Sequence, residues 1–160
     1  VCALPFNSHQ ADPIQGVALD EYALPTTLVD QLNQPNAQLL LYTDPNSALT
    51  NPQQGYTVYS HVLRSLCPVT GLPDWATVII RFCGVEVDFA AVLAYIVSFR
   101  QHSGFHEQCV ERMYCDFVAQ LNPSKLMVYA AYTRRGGLDI NPCRATSQDW
   151  LMNPVRFARQ

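Results

Sequence analysis

The sequence predicts an α+β fold in which a four-stranded antiparallel sheet carries two helices on one of its faces. Three observations lead there. Residues 56–64 and 75–82 are rich in β-branched and aromatic residues and flank a short Pro/Gly loop, as the two arms of a hairpin do. Two stretches of helical period follow, at 88–100 and 107–121. Two more apolar runs, at 126–133 and from 138 onward, are joined through Gly136-Gly137. The order strand, strand, helix, helix, strand, strand makes one layer of helices and one of strands. The second face of the sheet is then expected to be bare and to want a partner.

Each element has its own signal. Residues 1–55 read as an arm or linker: six of the 11 prolines lie there, among many Asn and Gln, and only residues 38–43 suggest a strand or a segment touching the core. The module proper is expected over 56–160. Asp88 is placed to cap the first helix, whose Phe89, Val92, Leu93, Ile96 and Phe99 share a face. Ala90, Ala91 and Ala94 leave it little polar surface, which predicts burial on both sides. Val110, Met113, Tyr114, Phe117, Val118 and Leu121 form the stripe of the second helix, and Pro123 ends it. Pro142 interrupts the last run and marks a sheet edge.

Composition narrows the function classes. Of 160 residues 49% are hydrophobic and 14% charged, below the roughly 25% charged of an ordinary soluble domain. That much apolar and aromatic content excludes a disordered chain. No apolar stretch approaches the ~18–20 residues of a membrane-spanning helix, and no basic-then-apolar signal peptide stands at the start. The net charge of −3 divides unevenly, with two basic and eight acidic residues in 1–99 against eight basic and five acidic in 100–160. A pI near 5.7 speaks against a dense nucleic-acid surface. The basic second part, with one lysine and otherwise arginine, suits a small anionic ligand. The six cysteines (Cys2, Cys67, Cys83, Cys109, Cys115, Cys143) show no CxxC and read mostly as reduced, buried small hydrophobes. The chain starts at Val1, with its first methionine at Met113, so a preceding segment is expected.

Four constellations carry chemistry. Cys67 stands at a strand end with Asp74 across a Pro-bounded loop, which suits a presented nucleophile and a proton carrier; the plain alternative is a buried thiol beside a turn-forming Asp. His106-Glu107 opens the second helix, where a carboxylate enjoys the field of the helix N-terminus and accepts two parallel N–H bonds from a guanine-like edge. The alternative there is a helix-starting Glu beside a packing His. Thr133-Arg-Arg-Gly-Gly137 offers guanidinium forks and close backbone approach to a phosphate, or is a solvated hairpin. His106-Glu-Gln-Cys109 also has a spacing that, with Cys67, would suit zinc.

Taken together, Cys67-Pro-Val-Thr-Gly-Leu-Pro-Asp-Trp75, Val97-Ser-Phe-Arg100, Phe105-His-Glu-Gln-Cys-Val-Glu-Arg112 and Tyr132-Thr-Arg-Arg-Gly-Gly-Leu-Asp-Ile-Asn-Pro142 closely resemble the NADPH-dependent 7-cyano-7-deazaguanine reductases. These are the nitrile reductases of queuosine biosynthesis, a tRNA-modification pathway. The resemblance spans about residues 56–144 and implies the tunnelling fold, related to GTP cyclohydrolase I. It implies Cys67 as the nucleophile that forms a covalent thioimide, Asp74 as proton donor, His106 and Glu107 on the deazaguanine, and Arg135 and Gly136 on NADPH. It implies no metal, no direct nucleic-acid contact, no membrane and a cytoplasmic enzyme. Partners implied are further copies of the chain or an N-terminal module of the same fold, since the family's Glu-Ser-Lys-Ser-like cofactor run is absent and the chain looks like the C-terminal module of a two-module member. Cys143 and Ala76 replace the usual Trp and Gly. Cys109 is near enough in this reading to pair reversibly with Cys67. A zinc-dependent cyclohydrolase-like enzyme and a non-catalytic assembly module of the same fold remain the rival readings.

Overall fold

A computed structural model of the chain describes residues 14–157 and 160. Cys2, Pro5, Pro13 and the start of the arm lie outside the described residues. Five strands form one sheet in sequence order: β1 (Val17–Ala18), β2 (Gly55–Leu66), β3 (Pro73–Cys83), β4 (Lys125–Tyr132) and β5 (Cys143–Ala145). Strands β2 to β5 are antiparallel as expected, and β1 adds a fifth strand, parallel to β2. The helices α1 (Phe89–Val97) and α2 (His106–Leu121) lie between β3 and β4 in the chain.

Alternation along the strands decides what faces the helices. Val78, Ile80 and Phe82 of β3 and Leu126, Val128 and Ala130 of β4 join the helices in the main core, and all six are fully buried. In β2 the register shifts between Ser60 and Leu63. That extra residue keeps Val58 and Leu63 on one face, where an unbroken period of two would separate them. Asp88 caps α1 by accepting from the Ala90 N–H at 2.8 Å, and every residue from Ala91 to Val97 is buried, as the alanine-rich face predicts. Each large aliphatic side chain so buried contributes about 1.5–3 kcal/mol. In α2, Gln108 Oε1 accepts from the Phe105 N–H at 3.0 Å, and Asn122 in the left-handed region (φ 49°) ends the helix before Pro123.

Three sequence expectations change. Of the two readings of residues 38–43, the core-touching segment holds and the strand does not: Ala37–Leu41 is a 3₁₀ turn capped by Asn36, whose side chain accepts from the Gln38 N–H. Its Leu39 and Leu40 reach the main core, together with Leu19, Leu28 and Leu32 of the preceding arm. The last strand begins at Cys143 rather than Leu138. Ile140 and Pro142 still lend carbonyls to Tyr132 and Ala130 of β4, but proline has no N–H to return a bond, so regular pairing starts only beyond it.

The second sheet face is not bare. Ile79, Met127, Tyr129 and Ala131 are covered by the chain's own Ile14, Trp150, Met152, Val155 and Phe157. Arg81 fixes this cover, its guanidinium 4.4 Å from the Trp150 ring and its NH2 donating to the Trp150 carbonyl at 2.9 Å. The cover stops short of the β2–β3 hairpin end, where Trp75 stays 45% exposed.

Candidate active site

Cys67 follows the last residue of β2. Its N–H donates to Leu72 O at 2.9 Å and its carbonyl accepts from Gly71 N–H at 2.8 Å, closing a tight loop over 67–72. Gly71 takes a positive φ of 69°, which glycine adopts without penalty. The Cys67 thiol is held below the ordinary thiol range by a hydrogen bond with the Thr70 side chain, then by the N–H groups of Thr70 and Val69. Burial opposes this weakly, and the Arg135 charge adds to the lowering.

The hairpin register sets Asp74 opposite Ser65, two residues before the thiol. Asp74 lies on the helix-facing side of β3 and is only 2% exposed. A buried carboxylate needs partners on both oxygens. Arg135 Nε and NH2 each lie 2.6 Å from Oδ1, and His106 Nε2 lies 3.2 Å from Oδ2. His106, the first residue of α2, is itself buried and stacked flat on Tyr132. Behind this pair sit Cys109, Ser65 and the Tyr132 hydroxyl. Burial pushes the Cys109 thiol up, and burial again pushes the Tyr132 phenol well above its usual range. The Ser65 and Tyr132 hydroxyls are buried without a well-formed hydrogen bond.

An open cleft of about 340 Å³ fronts the cluster, lined by Leu72, Asp74, Thr133, Arg134, Arg135 and Gly136 among others. Arg134 Nε pairs with Asp139 at 2.9 Å. Gly136 and Gly137 have φ of 57° and 81°, and a Cβ on either would meet nothing within 4 Å.

Of the residues singled out in the sequence, the structure gathers Cys67, Asp74, His106, Arg135 and Gly136 at one end of the sheet. Glu107 occupies the first turn of α2 and is exposed, beside the cluster rather than in it. Cys67, Cys83, Cys109, Cys115 and Cys143 are free thiols, but of these only Cys109 is buried as expected: Cys67, Cys83 and Cys143 are half-buried and Cys115 is exposed. Arg135, which the resemblance puts on NADPH, has its guanidinium turned onto Asp74. As a place for the ring end of a dinucleotide, the residues fit: the cleft is open, and Gly136 lets a planar group approach the backbone. The zinc spacing has no geometry to match. Among the described residues no three His, Cys, Asp or Glu side chains converge on one point, and Cys109 Sγ lies 4.0 Å from Gly104 O.

Sequence reasoning passed over Thr70 and Tyr132. Thr70 sits three residues after the thiol in a turn, where hydroxyls commonly bond nearby groups. Tyr132 shares the strand parity of Val128 and Ala130, which marks it as facing the helix that carries His106.

Comparison with known proteins bears on the family and the fold. Residues 73–150 match the family model described as QueF-like protein. A protein of Acinetobacter baylyi named NADPH-dependent 7-cyano-7-deazaguanine reductase is 64% identical over 104 residues, covering 65% of this chain and 38% of that protein. Proteins of the same name from Acinetobacter baumannii and Paraburkholderia xenovorans are 50% and 45% identical, over 91% and 97% of this chain and 51% and 53% of theirs. The chain thus spans about half the length, or less, of these curated relatives. The crystal structure of an apo archaeosine synthase QueF-Like superposes with a TM-score of 0.54 at 16% identity, over 60% of this chain and 95% of that one, a likeness of fold. With this family model and these relatives, the chain belongs to the QueF-like protein family.

Proposed function

We propose that this chain carries the thiol site of an NADPH-dependent reductase that converts the nitrile of 7-cyano-7-deazaguanine to 7-aminomethyl-7-deazaguanine, on the route to queuosine. One observation supports it above the rest: an acidified thiol, Cys67, stands at the hairpin end whose opposite strand holds the buried carboxylate of Asp74. Such a pair suits addition of sulfur to an unsaturated carbon.

In this reading Asp74 takes the Cys67 proton while sulfur bonds to the nitrile carbon. Asp74 then gives the same proton to the nitrile nitrogen, leaving a thioimide with no net change in protons. NADPH, when bound beside Gly136, supplies hydride, two equivalents per nitrile. Two further protons reach the product nitrogen, the carbon–sulfur bond breaks and Cys67 is regenerated. Glu107 accepts the N1–H and exocyclic amine of the deazaguanine, favoured by the N-terminal end of α2, and His106 packs at the same end. Arg135 works at Asp74. Residues 56–160, with the described part of the arm, 14–55, laid on them, form one module of a two-module enzyme, and a second module or copy completes the pocket. The enzyme works in the cytoplasm and contacts no nucleic acid.

The test omits NADPH. With the protein reduced and the nitrile added, the thioimide absorbance should rise, and the Cys67 peptide should gain the mass of the intact nitrile. No adduct on a titratable Cys67 thiol overturns the reading.

A further inference from the structure

We propose that Arg135 is a positioning residue for the Cys67–Asp74 pair, fixing the carboxylate and the thiol loop before any cofactor arrives; this rests on the thiol-addition reading above. The geometry is specific. Nε and NH2 of Arg135 both meet Asp74 Oδ1 at 2.6 Å, and the remaining nitrogen, NH1, lies 3.5 Å from Thr70 Oγ1. All three guanidinium nitrogens therefore face acceptors of this chain. Thr70 is the residue that does most to hold the Cys67 thiolate, so one side chain touches both the proton carrier and the support of the nucleophile.

The chain path makes this clamp rigid. The Thr133 N–H donates to Trp75 O at 2.8 Å, which ties the segment leaving β4 to the residue after Asp74. Arg135 and Leu138 then exchange backbone hydrogen bonds at 3.2 and 3.0 Å, around the two left-handed glycines. The guanidinium is thus aimed from a closed turn, and the carboxylate it grips cannot rotate its Oδ1 away from the cleft without losing two charge-assisted bonds.

The groups that face the pair are His106 and the Arg135 guanidinium at Asp74, with Cys109 and Tyr132 behind, and Thr70 and Arg135 at Cys67. Removing Arg135 takes a positive charge from both and leaves Asp74 with His106 as its remaining partner. The thiolate is then disfavoured.

The experiment compares wild type, Arg135→Gln and Arg135→Lys in the whole protein without NADPH. It reads Cys67 alkylation by iodoacetamide against pH and the rate of adduct formation with the nitrile. Arg135→Gln should move the alkylation midpoint to higher pH and slow adduct formation about tenfold, a shift of about one pH unit in the midpoint accounting for it. Arg135→Lys should recover the midpoint in part, because it restores charge but not the fork. Circular dichroism and melting confirm that each variant is folded. An unchanged midpoint and adduct rate in folded Arg135→Gln, with only the KM for NADPH raised, overturns the positioning role. Failure of the wild type to form an adduct at all overturns the thiol-addition reading instead, so the two failures are distinguishable. If neither Arg135 variant folds, Thr70→Val is measured in their place: it should raise the midpoint, and an unchanged midpoint overturns the proposed link through Thr70.

Discussion

The imidazole of His106 lies flat against the phenol ring of Tyr132, with ring centroids 3.9 Å apart and planes 9° from parallel. The stack spans two elements, the start of α2 and the end of β4, and it fixes the imidazole plane. Nε2 is thereby aimed at Asp74 Oδ2. The phenol contributes here through its ring, since its buried hydroxyl makes no well-formed hydrogen bond.

Tyr132→Phe should therefore fold about as stably as the wild type, because the hydroxyl it removes meets only Ser65 and Cys109, at poor hydrogen-bond geometry. Tyr132→Leu keeps apolar bulk but loses the aromatic stack, with about 0.5–1.5 kcal/mol beyond area burial lost. Its adduct formation should fall while that of Tyr132→Phe stays near wild type. Thermal melting and adduct rates check both. A slow Tyr132→Phe would mean that the hydroxyl matters after all.

The thiols should separate by reactivity. Cys67 is lowered by Thr70 and its neighbours, whereas Cys109 is raised by burial and the exposed Cys115 by partial desolvation and the adjoining Glu111 carboxylate. A thiol's reactive fraction grows as pH rises through its pKa, so a lowered pKa moves the whole profile to lower pH. At pH 7 Cys67 should be alkylated first, ahead even of the exposed Cys115, and Cys109 last. Peptide mapping after brief iodoacetamide treatment reads the order directly.

Asp74→Asn leaves Arg135 and His106 facing an amide that neither carries a proton nor balances a guanidinium. The rate of thiol addition to the nitrile should fall about 10²–10⁴-fold, the usual worth of a positioned proton carrier. Stability should fall by only about 1–3 kcal/mol, because Arg135 is partly exposed and water screens what it loses. An Asp74→Asn protein with near-normal addition rates would remove Asp74 from the chemistry.

Asp88 ties the arm to the module as well as capping α1. Burial disfavours its charge, but the Ser47 hydroxyl and the N–H groups of Asp44, Ala90 and Ala91 outweigh that and hold the carboxyl below its usual range. The sign follows directly: the stability it contributes is present above the ordinary carboxylate pKa and is lost as pH falls through the lowered folded value. Asp88→Ala should lose about 1–2 kcal/mol at pH 7 and should show a flatter loss of stability below about pH 4 than the wild type. Denaturant midpoints measured across that range test this.

Local pattern made much of this protein legible. The period of two along 75–82, the period of 3.6 along 107–121, Asp88 before an apolar run and Pro123 after one each act on neighbours within a few residues, so the chain order alone exposes them. Cys67 and Asp74 were legible too, because both lie on one hairpin and its two arms pair on closing. The covered second sheet face was not. The residues that cover it, Ile14 and Trp150 to Phe157, carry no period and pack only because the sheet between them exists. Nor was the orientation of Arg135. Its guanidinium in sequence suits a phosphate, yet it reaches a carboxylate 61 positions away, because a carboxylate buried by the closing sheet costs several kcal/mol unless paired. Sequence by itself determined the elements, their order and the chemistry available. Tertiary structure decided which charged group answers which, since that depends on desolvation, and desolvation exists only once the chain is folded.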